Sequence, residues 1–171
     1  MRAFVDTSSL FKKYVEEPGA AQLESLLAPV FEIIIAPITI VEFHSTVSRR
    51  LREKTLSTSD ARWIEAEFSI DCNYFGIVQW NDDLIRESLR LTHKYPLRTL
   101  DTIQLASAVI SEAAIVITSD KRLFGISRIK RLKMRCISGK KNDSEISALN
   151  NTMPTNLAPK VVAQRQPIGV V

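Results

Sequence analysis

The sequence predicts an α/β protein: a mainly parallel sheet of about five strands in a three-layer α/β/α arrangement, with helices on both faces. Three observations predict it. Short apolar runs of strand type alternate along the chain with longer segments of helical spacing. Two of those runs, near opposite ends of the fold, finish in the same junction of strand, aspartate and helix. Between them lies LDTIQLASAVISEA, apolar on nearly every face and so expected to be a helix packed on the sheet.

Taken in order, strands are expected near 2–5, 31–36, 75–79, 113–118 and 133–137, and helices near 7–15, 19–28, 39–54, 57–71, 82–94, 100–112 and 120–125. Met1 to Val5 is an apolar run reaching Asp6, then Thr7, Ser8 and Ser9, after which Leu10, Phe11, Tyr14 and Val15 recur at helical spacing. Ile40, Phe43, Val47 and Leu51 make the apolar stripe of the third helix, opposite a polar face with Glu42, Ser45, Thr46 and Arg49. Ser-Thr-Ser-Asp from Ser57 starts the fourth, with Trp63, Ile64, Phe68 and Ile70 on an apolar side. Ala113 to Thr118 is a continuous buried-strand run, followed by Ser119, Asp120 and the short basic amphipathic stretch KRLFGI.

Four acids stand out: Asp6, Glu42, Asp101 and Asp120. In open α/β sheets the ligand site lies beyond the carboxyl ends of the strands, near the point where strand order reverses, so acids at such junctions converge without being close in sequence. Each also has a plainer reading. Asp6 and Asp120 suit helix N-caps, and Asp101 in a first helical turn suits the helix dipole at ~0.3–1 kcal/mol. Thr39-Ile40-Val41-Glu42 fits an S/T-x-x-E capping box, which on local grounds is the better reading of Glu42.

Taken together, the four segments resemble the PIN domain, and more narrowly the VapC toxins of toxin–antitoxin pairs. VDTSSLFKKYVEEPGA is similar to the first acid of that family with its D-[ST]-S-x-L-x-K-x-Y continuation, matching at Asp6, Thr7, Ser8, Leu10, Lys12 and Tyr14. ITIVEF supplies Glu42; RTLDTIQLASA resembles the third motif at Asp101, Leu105 and Ala106; VITSDKRL resembles the fourth at Thr118, Asp120 and Leu123. One departure is Gln104, where many relatives carry a His after the third acid. Arg98 corresponds to a basic residue that relatives often have, which either meets substrate phosphate or is an ordinary solvated side chain.

The resemblance implies a metal-dependent endoribonuclease toxin that hydrolyses RNA phosphodiester bonds by metal-activated water, leaving 5′-phosphate and 3′-hydroxyl ends. It also implies neutralisation by a cognate antitoxin, docked over the site with a basic side chain among the acids, and a homodimer. The residue types suit this. Mg²⁺ is hard, takes oxygen ligands in octahedral geometry and keeps several waters. Carboxylates brought together repel one another, and a divalent cation, Mg²⁺ or Mn²⁺, relieves this. Asp6, Asp101 and Asp120 are expected to hold the ion, with Glu42 binding through water or helping a second one. Thr7, Ser8, Arg98 and Thr118 are expected to support substrate or ligands.

Composition bounds the rest. The chain has 171 residues, 45% of them apolar, which is enough for one domain with a real core. No apolar run is long enough to span a bilayer and the start lacks a signal-type pattern, so the cytoplasm is the expected compartment and no membrane partner is expected. Cys72 and Cys136 show no metal spacing and no disulfide framework, and His44 and His93 lie in unrelated contexts. The net charge of +4 is mild, but Lys121 to Arg135 carries seven basic residues and no acid, and Arg49, Arg50, Arg52 and Lys54 end the helix bearing Glu42. Such clusters suit a polyanion, although cations also complement a helix C-terminus.

The domain is expected to span 1–137. Residues 138–171, rich in Asn, Pro and small polar residues, are expected to be a flexible tail, either a lineage-specific extension or a frame-altered end. Middle-region helices contribute to dimer and antitoxin contacts in relatives, while here the stripe of residues 57–71 serves equally as core. Competing readings remain. A catalytically inactive PIN-fold RNA-binding or interaction module would be favoured by missing acids, and all four are present. A haloacid-dehalogenase-like phosphatase would need D-x-D after the first strand, where this chain has Asp6-Thr7-Ser8. Flap-type nucleases carry further acids and insertions.

Overall fold

A computed structural model describes residues 1–126 and 132–137. Its elements follow the expected order: β1 (Arg2–Val5), α1 (Thr7–Leu10) running into a 3-10 turn (Phe11–Lys13), α2 (Ala20–Leu27), β2 (Glu32–Ile35), α3 (Thr39–Arg52), α4 (Thr58–Asp71), β3 (Gly76–Ile77), α5 (Asp82–Lys94), α6 (Thr99–Ile110), β4 (Ile115–Thr118), α7 (Lys121–Gly125) and β5 (Met134–Cys136). The five strands form one sheet in the order β3-β2-β1-β4-β5, every pair parallel. From β1 the chain moves outward through β2 and β3, then returns to place β4 on the other side of β1. Strand order therefore reverses between β1 and β4, the position at which such sheets open a crevice.

Side chains alternate across the sheet, and each face is covered. Ala3, Val5, Ile35, Ile115 and Ile117 face one core with Leu10, Phe11, Tyr14, Leu23, Phe43, Val47, Ile64 and Phe68 from α1 through α4. Phe4, Ile34, Val116 and Met134 face the other with Leu84, Leu91, Leu105, Ala106, Ala108 and Leu123 from α5, α6 and α7. This is the three-layer arrangement. On the first face Phe43 stacks on Phe68, centroids 3.8 Å apart and planes 9° off parallel, while Tyr14 meets both rings edge-on.

Four local expectations change. The first helix is one α-turn plus a 3-10 turn rather than a continuous helix over 7–15, and β3 is two residues long instead of five. The stripe of α4 divides: Ile64 and Phe68 are core, whereas Trp63 and Ile70 are exposed. At the C-terminus of α3, Arg50 is held by Glu17 at 2.6 Å and lies over the Phe11 ring, so one member of that basic cluster is engaged within the fold. Ser57 does cap α4, accepting from the Asp60 amide at 3.1 Å. Gly19, with φ of 96°, takes the left-handed turn before α2 that side chains with a Cβ disfavour. Among the described residues no helix is long and apolar enough to cross a membrane. Arg128, Lys130, Arg131 and the expected tail lie outside the described residues.

Candidate metal and nuclease site

Asp6 directly follows β1 and Asp120 follows β4 by two residues, so both sit at the carboxyl edge where strand order reverses. The backbone closes this edge: the Asp6 amide donates to the Ile117 carbonyl at 2.9 Å, and the Ile137 amide to the Thr118 carbonyl at 2.8 Å. Asp6 Oδ2 is buried and accepts from two hydroxyls, Thr118 Oγ1 at 3.0 Å and Ser8 Oγ. These two also brace the second junction, because the Asp120 amide donates to Thr118 Oγ1 at 3.0 Å and the Ser119 amide to Ser8 Oγ at 3.1 Å. Ser9 and Ser119 join hydroxyls at 2.9 Å across the same seam.

Asp6 nominally precedes α1 but makes no side-chain cap there. Burial, the largest influence, pushes its carboxyl up to about 6; the Ser8 and Thr118 hydroxyls oppose this and the Glu42 charge adds to it. Asp120 does cap: Oδ1 accepts from the amides of Arg122 at 2.6 Å and Leu123 at 3.4 Å. Capping occupies one oxygen of a group that can accept roughly four hydrogen bonds, so it is compatible with a second task. Asp101, in the first turn of α6, has its carboxyl raised by partial burial and then by the Asp120 charge, against the pull of Arg98 and Arg122.

Glu42 departs from its local reading. α3 begins at Thr39 with no side-chain cap, and Thr39 is itself buried, so the capping box does not form. Instead Glu42 Oε2 accepts from Thr7 Oγ1 at 2.5 Å and from Gln104 Nε2 at 2.6 Å. The same Gln104 amide reaches Thr7 Oγ1 at 2.8 Å and Thr39 Oγ1 at 3.2 Å, tying α1, α3 and α6 together beneath the acids. Its orientation is dictated by Glu42: reversed, Oε1 would face a carboxylate oxygen, acceptor against acceptor. Oε1 is buried without a hydrogen-bond partner among the described residues.

All four acids thus belong to this edge and its supporting helices, but they act on one another as two pairs, Asp6 with Glu42 and Asp101 with Asp120. Among the described residues no three His, Cys, Asp or Glu side chains stand close enough to form a metal-binding group. The donor chemistry fits a hard divalent cation: oxygen atoms only, with the carboxyls of Asp6 and Asp101 pushed upward by burial and by like charge. Thr7 donates its hydroxyl to Glu42, and Ser8 and Thr118 donate theirs to Asp6. Arg98 is exposed at the residue before α6, within electrostatic reach of Asp101. His44 pairs with Glu65 at 3.0 Å and His93 is exposed. Cys72 and Cys136 are free thiols.

On sequence grounds Ser9 and Ser119 had no part in the site, Thr39 was offered only as a cap, and Gln104 was marked as a departure from relatives with no indication of its partners. One signal was present for Gln104, since it is a lone amide inside Ile103-Gln104-Leu105-Ala106 on a helix apolar all round. A buried amide is retained where it has partners.

Comparison with known proteins bears on the fold and the family. By sequence, the chain matches no curated protein. Its fold is similar to that of a toxin–antitoxin complex from Klebsiella pneumoniae (TM-score 0.56, 23% identity, 72% of this chain and 92% of that one). It is also similar to VapBC2 from Rickettsia felis bound to a promoter DNA fragment (0.57, 16%, 81% and 100%). A third is VapC20 of Mycobacterium tuberculosis, described as a Sarcin-Ricin loop cleaving toxin (0.56, 13%, 72% and 93%). The PIN domain model matches residues 3–131, three quarters of the sequence. This chain belongs to the PIN domain family.

Proposed function

We propose that this protein is a VapC-type toxin, a metal-dependent endoribonuclease held in check by a cognate antitoxin. The observation that carries the reading is the position of Asp6 and Asp120 just past β1 and β4, beside the switch point, with the Glu42 charge acting on Asp6 and the Asp120 charge on Asp101. Asp6, Asp101 and Asp120 would hold Mg²⁺ or Mn²⁺, with Glu42 acting through water or beside a second ion. When bound, the cation lowers the pKa of water and stabilises charge on phosphate oxygens. Thr7 and Gln104 hold Glu42; Ser8 and Thr118 hold Asp6. Arg98 and Arg122, set beside Asp101, would meet the substrate phosphate. The reaction is hydrolysis of an RNA phosphodiester by in-line attack of water, leaving 5′-phosphate and 3′-hydroxyl ends. The similarity to toxin–antitoxin complexes supports an antitoxin partner; a homodimer acting in the cytoplasm completes the proposal. A PIN-fold RNA-binding module without cleavage is the second reading, favoured by the division of the acids into pairs, with no three together among the described residues.

The deciding experiment is incubation of total RNA with purified antitoxin-free protein in Mg²⁺, Mn²⁺ or EDTA, beside a folded Asp101→Asn variant. Discrete cleavage that requires metal and falls in the variant to the EDTA level supports the nuclease. Binding without cleavage by folded wild type selects the binding module.

A further inference from the structure

We infer that Gln104 is a positioning residue for the metal centre: its side-chain amide fixes the Glu42 carboxylate, and the Thr7 hydroxyl beside it, in the orientation the centre uses. This deepens the nuclease reading and rests on it. Three observations carry it. One Nε2, with two hydrogens, serves three acceptors on two other helices: Glu42 of α3 at 2.6 Å, Thr39 of α3 at 3.2 Å and Thr7 of α1 at 2.8 Å, all from α6. The side chain is 2% exposed, so water does not compete for these bonds. Its carbonyl oxygen has no hydrogen-bond partner among the described residues, and the amide turns its N–H groups toward Glu42 and the Thr7 and Thr39 hydroxyls. A residue serving only to fill the α6 core would need none of this, and Leu or Met would suffice.

Thr7 completes the device. It accepts from Gln104 and passes its own hydrogen to Glu42 Oε2, so that oxygen receives two donors from different elements. The torsions of Glu42, which has three rotatable bonds, are thereby restricted. Asp101 lies three residues before Gln104 on the same helix, so α6 both presents one acid pair and orients a member of the other.

The test compares wild type with Gln104→Met, which keeps length but removes the donors, and Gln104→His, whose ring N–H can reach Glu42. Mn²⁺ affinity by paramagnetic resonance, kcat and KM for RNA, and thermal unfolding are measured on each full chain. The expected result is a folded Met variant with Mn²⁺ affinity weakened about 10–100-fold, the range for outer-shell partners. Its kcat should fall with KM for RNA little changed, and the His variant should recover most of both losses. Should the Met variant fail to fold, Gln104→Asn, an amide one methylene short of Glu42, takes its place with the same expectation. Wild-type cleavage with undiminished Mn²⁺ affinity and kcat in the folded Met or Asn variant overturns the inference and leaves the nuclease standing. Wild type that neither binds Mn²⁺ nor cuts RNA overturns both.

Discussion

Thr118 donates its hydroxyl to Asp6 Oδ2 at 3.0 Å across 112 positions of sequence, joining the ends of β4 and β1, the strands between which strand order reverses. The Thr118 hydroxyl oxygen in turn accepts from the Asp120 amide at 3.0 Å. One threonine therefore sets two acids at once, and its removal is informative. In Thr118→Val, Asp6 loses a donor that favours its charged form, so its carboxyl should titrate above the wild-type value of about 6. Carboxyl carbon NMR in metal-free protein reads this directly. An unchanged or lower value would show that the hydroxyl does not hold the charge.

Asp6 should weaken the metal-free fold at neutral pH. Its carboxyl ionises at about 6 in the fold against 3.8 when unperturbed, so the folded state holds the proton more tightly. The penalty is absent below about pH 4, grows as pH rises through this window, and is complete above about pH 6. At 1.36 kcal/mol per unit it amounts to on the order of 3 kcal/mol. Asp6→Asn removes the charge and keeps an acceptor for Ser8 and Thr118. Without metal it should melt above wild type near pH 7.5 and converge with it near pH 4, whereas Mn²⁺ should raise the wild-type melting temperature more than the variant's. A melting difference that does not change with pH would refute the assignment.

Arg98 should act on substrate through charge. On the nuclease reading, Arg98→Ala weakens RNA binding across sequences and lowers the magnitude of the salt slope by roughly 0.7–1, the loss of one phosphate contact. Stability should scarcely change, because the side chain is exposed. Binding isotherms over a salt series decide it, and an unaltered slope would return Arg98 to the ordinary surface.

Phe43 should support the site through packing. It is fully buried, stacks on Phe68 at 3.8 Å and adjoins Glu42 in sequence. Phe43→Ala should cost ~3–5 kcal/mol, while Phe43→Leu, which leaves a smaller cavity, should cost less. Denaturant unfolding measures both, and an Ala variant within about 1 kcal/mol of wild type would mean the α3–α4 seam collapses freely onto the gap.

Much of the fold and the acids' neighbourhood was legible in the chain because the forces concerned are local or periodic. Apolar runs of strand length such as Ala113 to Thr118, helical spacing such as Phe43 and Val47, and the repeated junction of strand and Asp mark elements whose burial the hydrophobic pattern alone dictates. The alternation of these elements leads to a parallel sheet, and the parallel sheet brings acids at strand ends to one edge. What only the tertiary structure decided is partnership between polar groups. Thr39-x-x-Glu42 satisfies a capping rule in sequence, yet Glu42 turns to Thr7 and Gln104, residues 35 and 62 positions away. Asp120 caps while Asp6, in the same context, does not. A hydrogen bond is short-ranged and directional, so its partner is chosen by which helices the sheet brings within 3 Å. That distance is set by the packed fold and by nothing written along the chain.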